Sequence, residues 1–246
     1  MHGLFGTKHL IILVVSVVFI VLGAIATRKW DLKRLTKVLL GIGLVSEFIK
    51  VFYYILANEA THGGVLPKTD LPFHLCSIQI IFLAVLVYGN NQKFKELLLS
   101  FMLPSCLFGG IAALCIATTS SLNGKWILSV QYFGYHASLV IFALALFRDS
   151  IIKLTVKHYV NCLKFLCILL LFAIYINSVL YDGASNINYM YVVSPPASGL
   201  PFLNENHGWL VYMAHYAFTV VFCVTLCYIK PIVAAIREKS QRKVSV

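Results

Sequence analysis

The chain has 246 residues, 60% of them hydrophobic and 12% charged, with a formal net charge of +11 and a mean hydropathy of +0.86. A soluble domain carries about 25% charged residues, so this composition excludes an ordinary soluble fold. The net charge by itself would suit a nucleic-acid partner. The basic residues, however, fall in short clusters between apolar runs, where a membrane protein sets them against anionic lipid, and no basic recognition face or module is present.

A membrane-spanning helix needs about 20 predominantly apolar residues. In chain order the windows that qualify are Leu10–Ala26, Val38–Ala57, Leu71–Tyr88, Leu97–Thr118, Trp126–Phe147, Leu163–Tyr181 and Trp209–Ile229. They predict an all-α polytopic membrane protein of about seven transmembrane helices. The first window ends in Ala24-Ile25-Ala26, which resembles a signal-peptide cleavage site. The charge asymmetry argues for a retained span instead. Only Lys8 precedes the run, whereas Arg28, Lys29, Lys33, Arg34 and Lys37 follow it.

The same rule orients the other connections. Arg28–Lys37, Gly89–Glu96, Arg148–Lys164 and the short basic tail 230–246 hold 16 of the 20 Lys and Arg residues. The opposite connections hold only Lys8, Lys68 and Lys125. The expected topology is therefore a cell-membrane protein with its N-terminus outside and its C-terminus cytoplasmic. Trp30, Trp126 and Trp209 all fall at predicted membrane–water boundaries. Residues 1–246 read as a single transmembrane domain. The loop from Asp182 to Gly208, with Pro195-Pro196 and Gly199-Leu200-Pro201, reads either as a lid over the outer mouth or as a plain connector. Pro104 followed by Gly109-Gly110 predicts a kink in the fourth span, with a freed carbonyl that a neighbouring helix must satisfy.

Ionisable groups inside a membrane are costly, so each is a functional candidate. Glu47, Lys50 and Tyr54 share one face of the second span, either as a structural ion pair or as part of a site. The third span opens Asp70-Leu71-Pro72-Phe73-His74-Leu75-Cys76, with Asp70 expected as N-cap and Pro72 in the first turn. Cys76 and Gln79 share a face. His74 and Cys76 are about 200° apart on a regular helix, so they can serve one site only if the first turn is irregular or the site wraps the helix end. The fifth span carries Gln131, Tyr132, Tyr135, His136 and Ser138 in one stripe. The sixth carries Tyr175, Ser178 and Asp182. The seventh carries Tyr212, Tyr216, Thr219 and Cys223, with His215 at the edge. Lipid offers these groups no partner, so the stripes should converge on a polar cavity. By helical rise, Cys76 lies roughly 8 Å and His136 roughly 15 Å from the outer surface.

Leu71–Cys76, Ser46-Glu47-Phe48-Ile49-Lys50, Tyr132–Ser138, and Asn188-Tyr189-Met190-Tyr191 followed by Pro195-Pro196 carry a resemblance to the YwaF-like family of bacterial integral membrane proteins. That family in turn resembles, more distantly, vertebrate TMEM-type lipid acyltransferases that use a cysteine and a histidine. The resemblance implies Cys76 as nucleophile and His136 as base, with His74 as the competing histidine. Glu47, Lys50, Gln79, Gln131, Tyr135, Asn188 and His215 are the candidate substrate-binding residues, and Gln79 or Tyr135 is the candidate oxyanion donor. The reading is of a membrane-embedded lipid acyltransferase or lipid esterase acting on membrane lipid without a cofactor. The alternative is a transporter or a lipid- or metabolite-binding protein with the same polar pocket. The seven cysteines, odd in number and lacking any C-x-x-C, suit neither a disulfide framework nor a zinc site.

Overall fold

The computed structural model describes residues 4–57, 64–118, 121–122, 124–148, 150–197, 200, 203 and 208–244. Gly199 and Pro201 of the predicted long loop lie outside the described residues. In chain order the helices are α1 (Thr7–Ala26), α2 (Leu32–Ala57), α3 (Leu75–Tyr88), α4 (Gln92–Cys115), α5 (Trp126–Leu146), α6 (Val156–Leu180), α7 (Trp209–Cys227) and α8 (Ile229–Val244). The protein is all-α and polytopic, and six of these helices, α1, α2 and α4 to α7, are long and apolar enough to cross a membrane. α3 has 14 residues, or about 21 Å of rise against a hydrocarbon core of about 30 Å.

Several boundaries differ from the hydropathy windows, each for a local reason. Asp31 accepts the Arg34 N–H at 2.7 Å, which lets α2 start at Leu32. A capping box between Thr155 and His158 starts α6 at Val156, within a segment too polar to register as span. Asp70 does not cap α3. It lies in a 3₁₀ turn over Lys68–Asp70, and Leu71–His74 stays irregular because Pro72 disfavours helix at the residue before it. His74 takes the N-cap position with extended backbone, φ −69° and ψ 149°.

Contacts between helix ends give the topology. At one end, Lys8 donates to the Leu122 carbonyl, and His9 to the Leu114 carbonyl at 2.9 Å. There too Lys68 pairs with Asp182 at 2.8 Å, and Trp209 donates to the Val192 carbonyl at 2.8 Å. At the other end, Arg148 donates to the carbonyls of Thr27 at 2.8 Å, Arg28, and Trp30 at 3.2 Å, closing the C-terminus of α1. Tyr159 of α6 meets Thr225 of α7 at 3.1 Å there. Successive helices from α1 to α7 thus alternate in direction, α3 included.

α4 and α5 form the centre. Phe101, Met102, Leu103 and Cys106 are fully enclosed. A Cβ on Gly110 would meet Val140 at 2.7 Å and the His136 carbonyl at 3.1 Å, so glycine permits the close approach of these two helices. α4 stays helical through Pro104. The carbonyl that proline strips of its partner, that of Ser100, accepts the Tyr228 hydroxyl at 2.6 Å. α1 is arranged the other way round: His9 and Ser16 are its buried residues, while Val14, Val15, Val18 and Leu22 are exposed. That suits a helix whose outer face is solvated by lipid.

Candidate functional site

The irregular chain before α3 frees His74 from helical geometry. As N-cap it is not bound by the turn of about 200° that a helix would impose between it and Cys76. His74 Nε2 donates to the Thr69 carbonyl at 3.3 Å. Cys76 follows in the first turn of α3. The Tyr135 hydroxyl donates to the Cys76 carbonyl at 2.8 Å, tying α3 to α5 at this residue.

His136, next to Tyr135, is 5% exposed. Its Nδ1 donates to the Tyr132 carbonyl at 2.7 Å. That bond fixes the neutral tautomer with the proton on Nδ1, leaving a lone pair on Nε2. The Tyr132 ring packs 4.3 Å from the imidazole, centroid to centroid, and its hydroxyl donates to the Ala113 carbonyl at 3.0 Å. Cys76 is near enough to interact electrostatically with Lys50, Glu47, Tyr132, Tyr135 and Tyr191, and His136 with His74.

α2 supplies an ion pair, with Lys50 Nζ 2.8 Å from Glu47 Oε1. Ser77, the residue after Cys76, donates to Glu47 Oε2 at 3.2 Å. Gln79 Nε2 donates to Ser105 at 2.8 Å, and Gln131 Nε2 to Ser46 at 2.6 Å. Glu47 and Tyr135 thus meet the first turn of α3, Lys50 joins through Glu47, Gln79 ties α3 to α4, and Gln131 ties α5 to α2. The two residues considered as oxyanion donors, Gln79 and Tyr135, already have protein acceptors.

Two candidates lie elsewhere. His215 is on the exposed face of α7, because that helix turns Tyr212 and Tyr216 inward and adjacent residues point about 100° away. Asn188 is occupied within its own loop. It donates to Ser194 O at 2.8 Å and accepts the N–H groups of Val193 at 3.1 Å and Ser194 at 3.3 Å. On α6, Tyr175 and Ser178 face outward. The inward polar residue is Asn177, which the reading of hydropathy and stripes passed over. It donates to the Tyr189 carbonyl at 3.0 Å and accepts the Tyr189 N–H at 2.8 Å. An isolated asparagine in an apolar run was the only signal available.

The segment after α6 is more than a connector. Its 3₁₀ turn Tyr189–Tyr191 is packed into the bundle, with Tyr189 fully enclosed. Tyr189 donates to the Lys68 carbonyl, Tyr212 to the Tyr191 carbonyl, and Tyr216 to the Met190 carbonyl at 2.8 Å. Met190 and Tyr191 hold φ of 54° and 55°, a left-handed conformation that non-glycine residues rarely adopt and that clusters at functional sites. The His74 ring lies 4.9 Å from the Tyr189 ring and 6.2 Å from that of Tyr191. At the base of this segment, the Lys68 ion pair and N–H donors from Ala184 and Ser185 hold the Asp182 carboxyl well below its ordinary range. Burial pushes the Asp70 carboxyl up.

Residues 4–229 match the TMEM164 family. No curated protein and no solved structure matches the chain.

Proposed function

The chain belongs to the TMEM164 family, and from that premise we propose that this multi-pass membrane protein is a membrane-embedded lipid acyltransferase or lipid esterase using Cys76 and His136. One observation carries the reading: Tyr135 anchors the Cys76 peptide, while the adjacent His136 presents an Nε2 whose lone pair is set by the bond from Nδ1 to the Tyr132 carbonyl. The reading takes Cys76 as nucleophile and His136 as base, on two helices that the Tyr135 bond ties together.

His136 Nε2 removes the Sγ proton, and the thiolate attacks the ester carbonyl of a membrane lipid. Collapse breaks the ester C–O bond, and the leaving alkoxide takes the proton from His136. The resulting thioester is resolved by a lipid hydroxyl or by water, His136 again taking the proton and returning it to sulfur. Cys76 lies in the first turn of α3, where the free N–H groups of a helix start favour a negatively charged partner. His74 shapes the entrance together with Tyr189 and Tyr191. This contact brings together the Leu71–Cys76 and Asn188–Tyr191 segments, which supports placing the chain beside the YwaF-like bacterial proteins. The whole chain acts as one transmembrane domain. The end carrying Arg148 is cytoplasmic by the charge rule, which sets the site in the outer half of a cell-membrane bilayer.

The test uses the purified protein in lipid nanodiscs with a labelled phospholipid donor and a lysophospholipid acceptor. Wild type should transfer or release acyl chains and carry a hydroxylamine-labile adduct on Cys76. Cys76→Ala and His136→Ala should remain folded and lose turnover. Full turnover by folded Cys76→Ala would overturn the mechanism. Loss of turnover in folded His74→Ala but not in His136→Ala would move the base to the start of α3. A folded wild-type protein that turns over no lipid ester would favour the pocket-only alternative.

A further inference from the structure

The C-terminal helix α8 carries a pattern that the bundle does not use. Pro231 has no N–H to bond to the Cys227 carbonyl, so the helical ladder is interrupted and α7 ends at Cys227. At about 100° per residue, Ile232, Ile236, Ile229 and Val233 form one apolar stripe. Lys230 and Arg237 run along one edge of it, Lys239 flanks the other, and Glu238 points the opposite way. Ile232 packs against the bundle core. The rest of the stripe does not: Ile229 is 51%, Val233 38% and Ile236 63% exposed. Along one edge of the stripe runs a shallow open groove lined by Ile229, Lys230, Val233, Ala234 and Arg237. Its floor is apolar and two cations rim it.

α8 packs against α6 and α7 at the end where Arg148 closes α1 and most basic residues gather. An exposed apolar stripe between two rows of cations is poorly matched to water. It matches a bilayer surface, where the acyl boundary covers the stripe and lipid phosphates meet the cations. The long stems of Lys230, Arg237 and Lys239 let their charged ends reach that level while their methylenes stay on the stripe. We propose that α8 is a docking surface for anionic phospholipid. It lies in the leaflet at this end, with Ile229, Val233 and Ile236 in the acyl boundary and the three cations on lipid phosphates. The inference does not depend on the chemistry assigned to Cys76.

Backbone amide exchange over residues 229–241 reads the docking, with the full chain in nanodiscs of phosphatidylcholine alone or with about 30% phosphatidylglycerol. Anionic lipid should slow exchange, by roughly fivefold for each engaged cation, and about 0.5 M salt should remove the difference. Lys230→Gln with Arg237→Gln should remove the share of those two cations, leaving at most the roughly fivefold of Lys239, and Ile236→Glu should weaken the protection through the stripe. All three positions are exposed, so neither variant disturbs the bundle. Equal exchange in the two lipid compositions would overturn the proposal, as would protection that is undiminished in both variants. Equal protection by inorganic phosphate over neutral lipid would overturn it too, by identifying a plain anion site.

Discussion

At the α1 corner of the bundle, His9 uses both ring nitrogens: Nδ1 accepts the Phe5 N–H at 3.0 Å and Nε2 donates to the Leu114 carbonyl at 2.9 Å. At the α3–α5 corner, His136 bonds through Nδ1 to the Tyr132 carbonyl at 2.7 Å, and among the described residues Nε2 has no hydrogen-bond partner. Both imidazoles are buried. The first is a saturated strut between α1 and α4. The second is held in one tautomer with its other nitrogen available, beside a tyrosine that holds a cysteine backbone. Burial of a histidine in a membrane protein is therefore a weak guide to its role, and the partner of each ring nitrogen is the informative quantity.

The largest effect should separate the two directly. A general base typically contributes 10²–10⁴-fold, so His136→Ala should reduce lipid turnover by that order with little loss of folded yield. His9→Ala should lower thermal stability by about 1–3 kcal/mol, the cost of leaving a buried carbonyl and N–H unpaired, and keep turnover per folded molecule. Measuring yield, melting and turnover on both variants checks this, and the reverse assignment would break the comparison.

Next in size is the ion pair on α2. Removing one partner of a buried pair costs about 3–5 kcal/mol. The Lys50 and Glu47 side chains retain 15% and 23% exposure, which puts the expected loss for Glu47→Gln toward the lower end. Glu47→Gln with Lys50→Met should recover part of it in a melt. Unchanged stability in the single variant would assign Glu47 to a hydrated pocket wall.

Two tyrosine hydroxyls sharpen the contrast further. Tyr228→Phe removes the hydroxyl that meets the proline-freed Ser100 carbonyl, and should cost about 1–2 kcal/mol of stability with turnover unchanged. Tyr135→Phe removes a bond of the same kind from the Cys76 carbonyl. As a positioning change it should lower kcat about tenfold with KM nearly constant, for a comparable energy of about 1.4 kcal/mol. Equal behaviour of the two variants would deny Tyr135 a positioning role.

The smallest effect concerns the loop anchor. The folded Asp182 carboxyl lies below its ordinary value of 3.8, so its contribution is complete above that value and disappears as pH falls through the folded one. Protection of the Ser185–Val193 amides, relative to their intrinsic exchange rates, should therefore be flat between about pH 5 and 8, and fall only under stronger acid. A change of protection near pH 6 would place the control of this loop in another group.

Hydropathy was enough to read the helices because a bilayer demands about 20 apolar residues per crossing whatever the neighbours are. The tilt of Lys and Arg toward one set of connections is equally plain without a fold. The start of α3 was misread because Asp70 and Pro72 are good N-terminal residues in isolation, whereas the segment is held irregular by the Thr69 carbonyl on His74 and the Lys68 carbonyl on Tyr189. The polar stripes of α2, α3 and α5 were legible as stripes. Asn177 was not, since one polar residue makes no period, and neither the bonds of Asn188 within its own loop nor the outward turn of His215 could be read, because composition does not reveal which way a loop or a helix edge turns.

The sequence by itself determined the class of protein, the places of the apolar helices, the basic end and the residues with reactive side chains, since these depend on local composition, while the shortness of α3 did not show in its window. Only the tertiary structure decided which nitrogen of His136 keeps its lone pair, that Tyr135 rather than an open donor meets the Cys76 peptide, and that Tyr189–Tyr191 enters the bundle beside His74. Each of these is a hydrogen bond or ring contact between segments far apart in the chain, with geometry that depends on helix packing. No local pattern encodes that geometry.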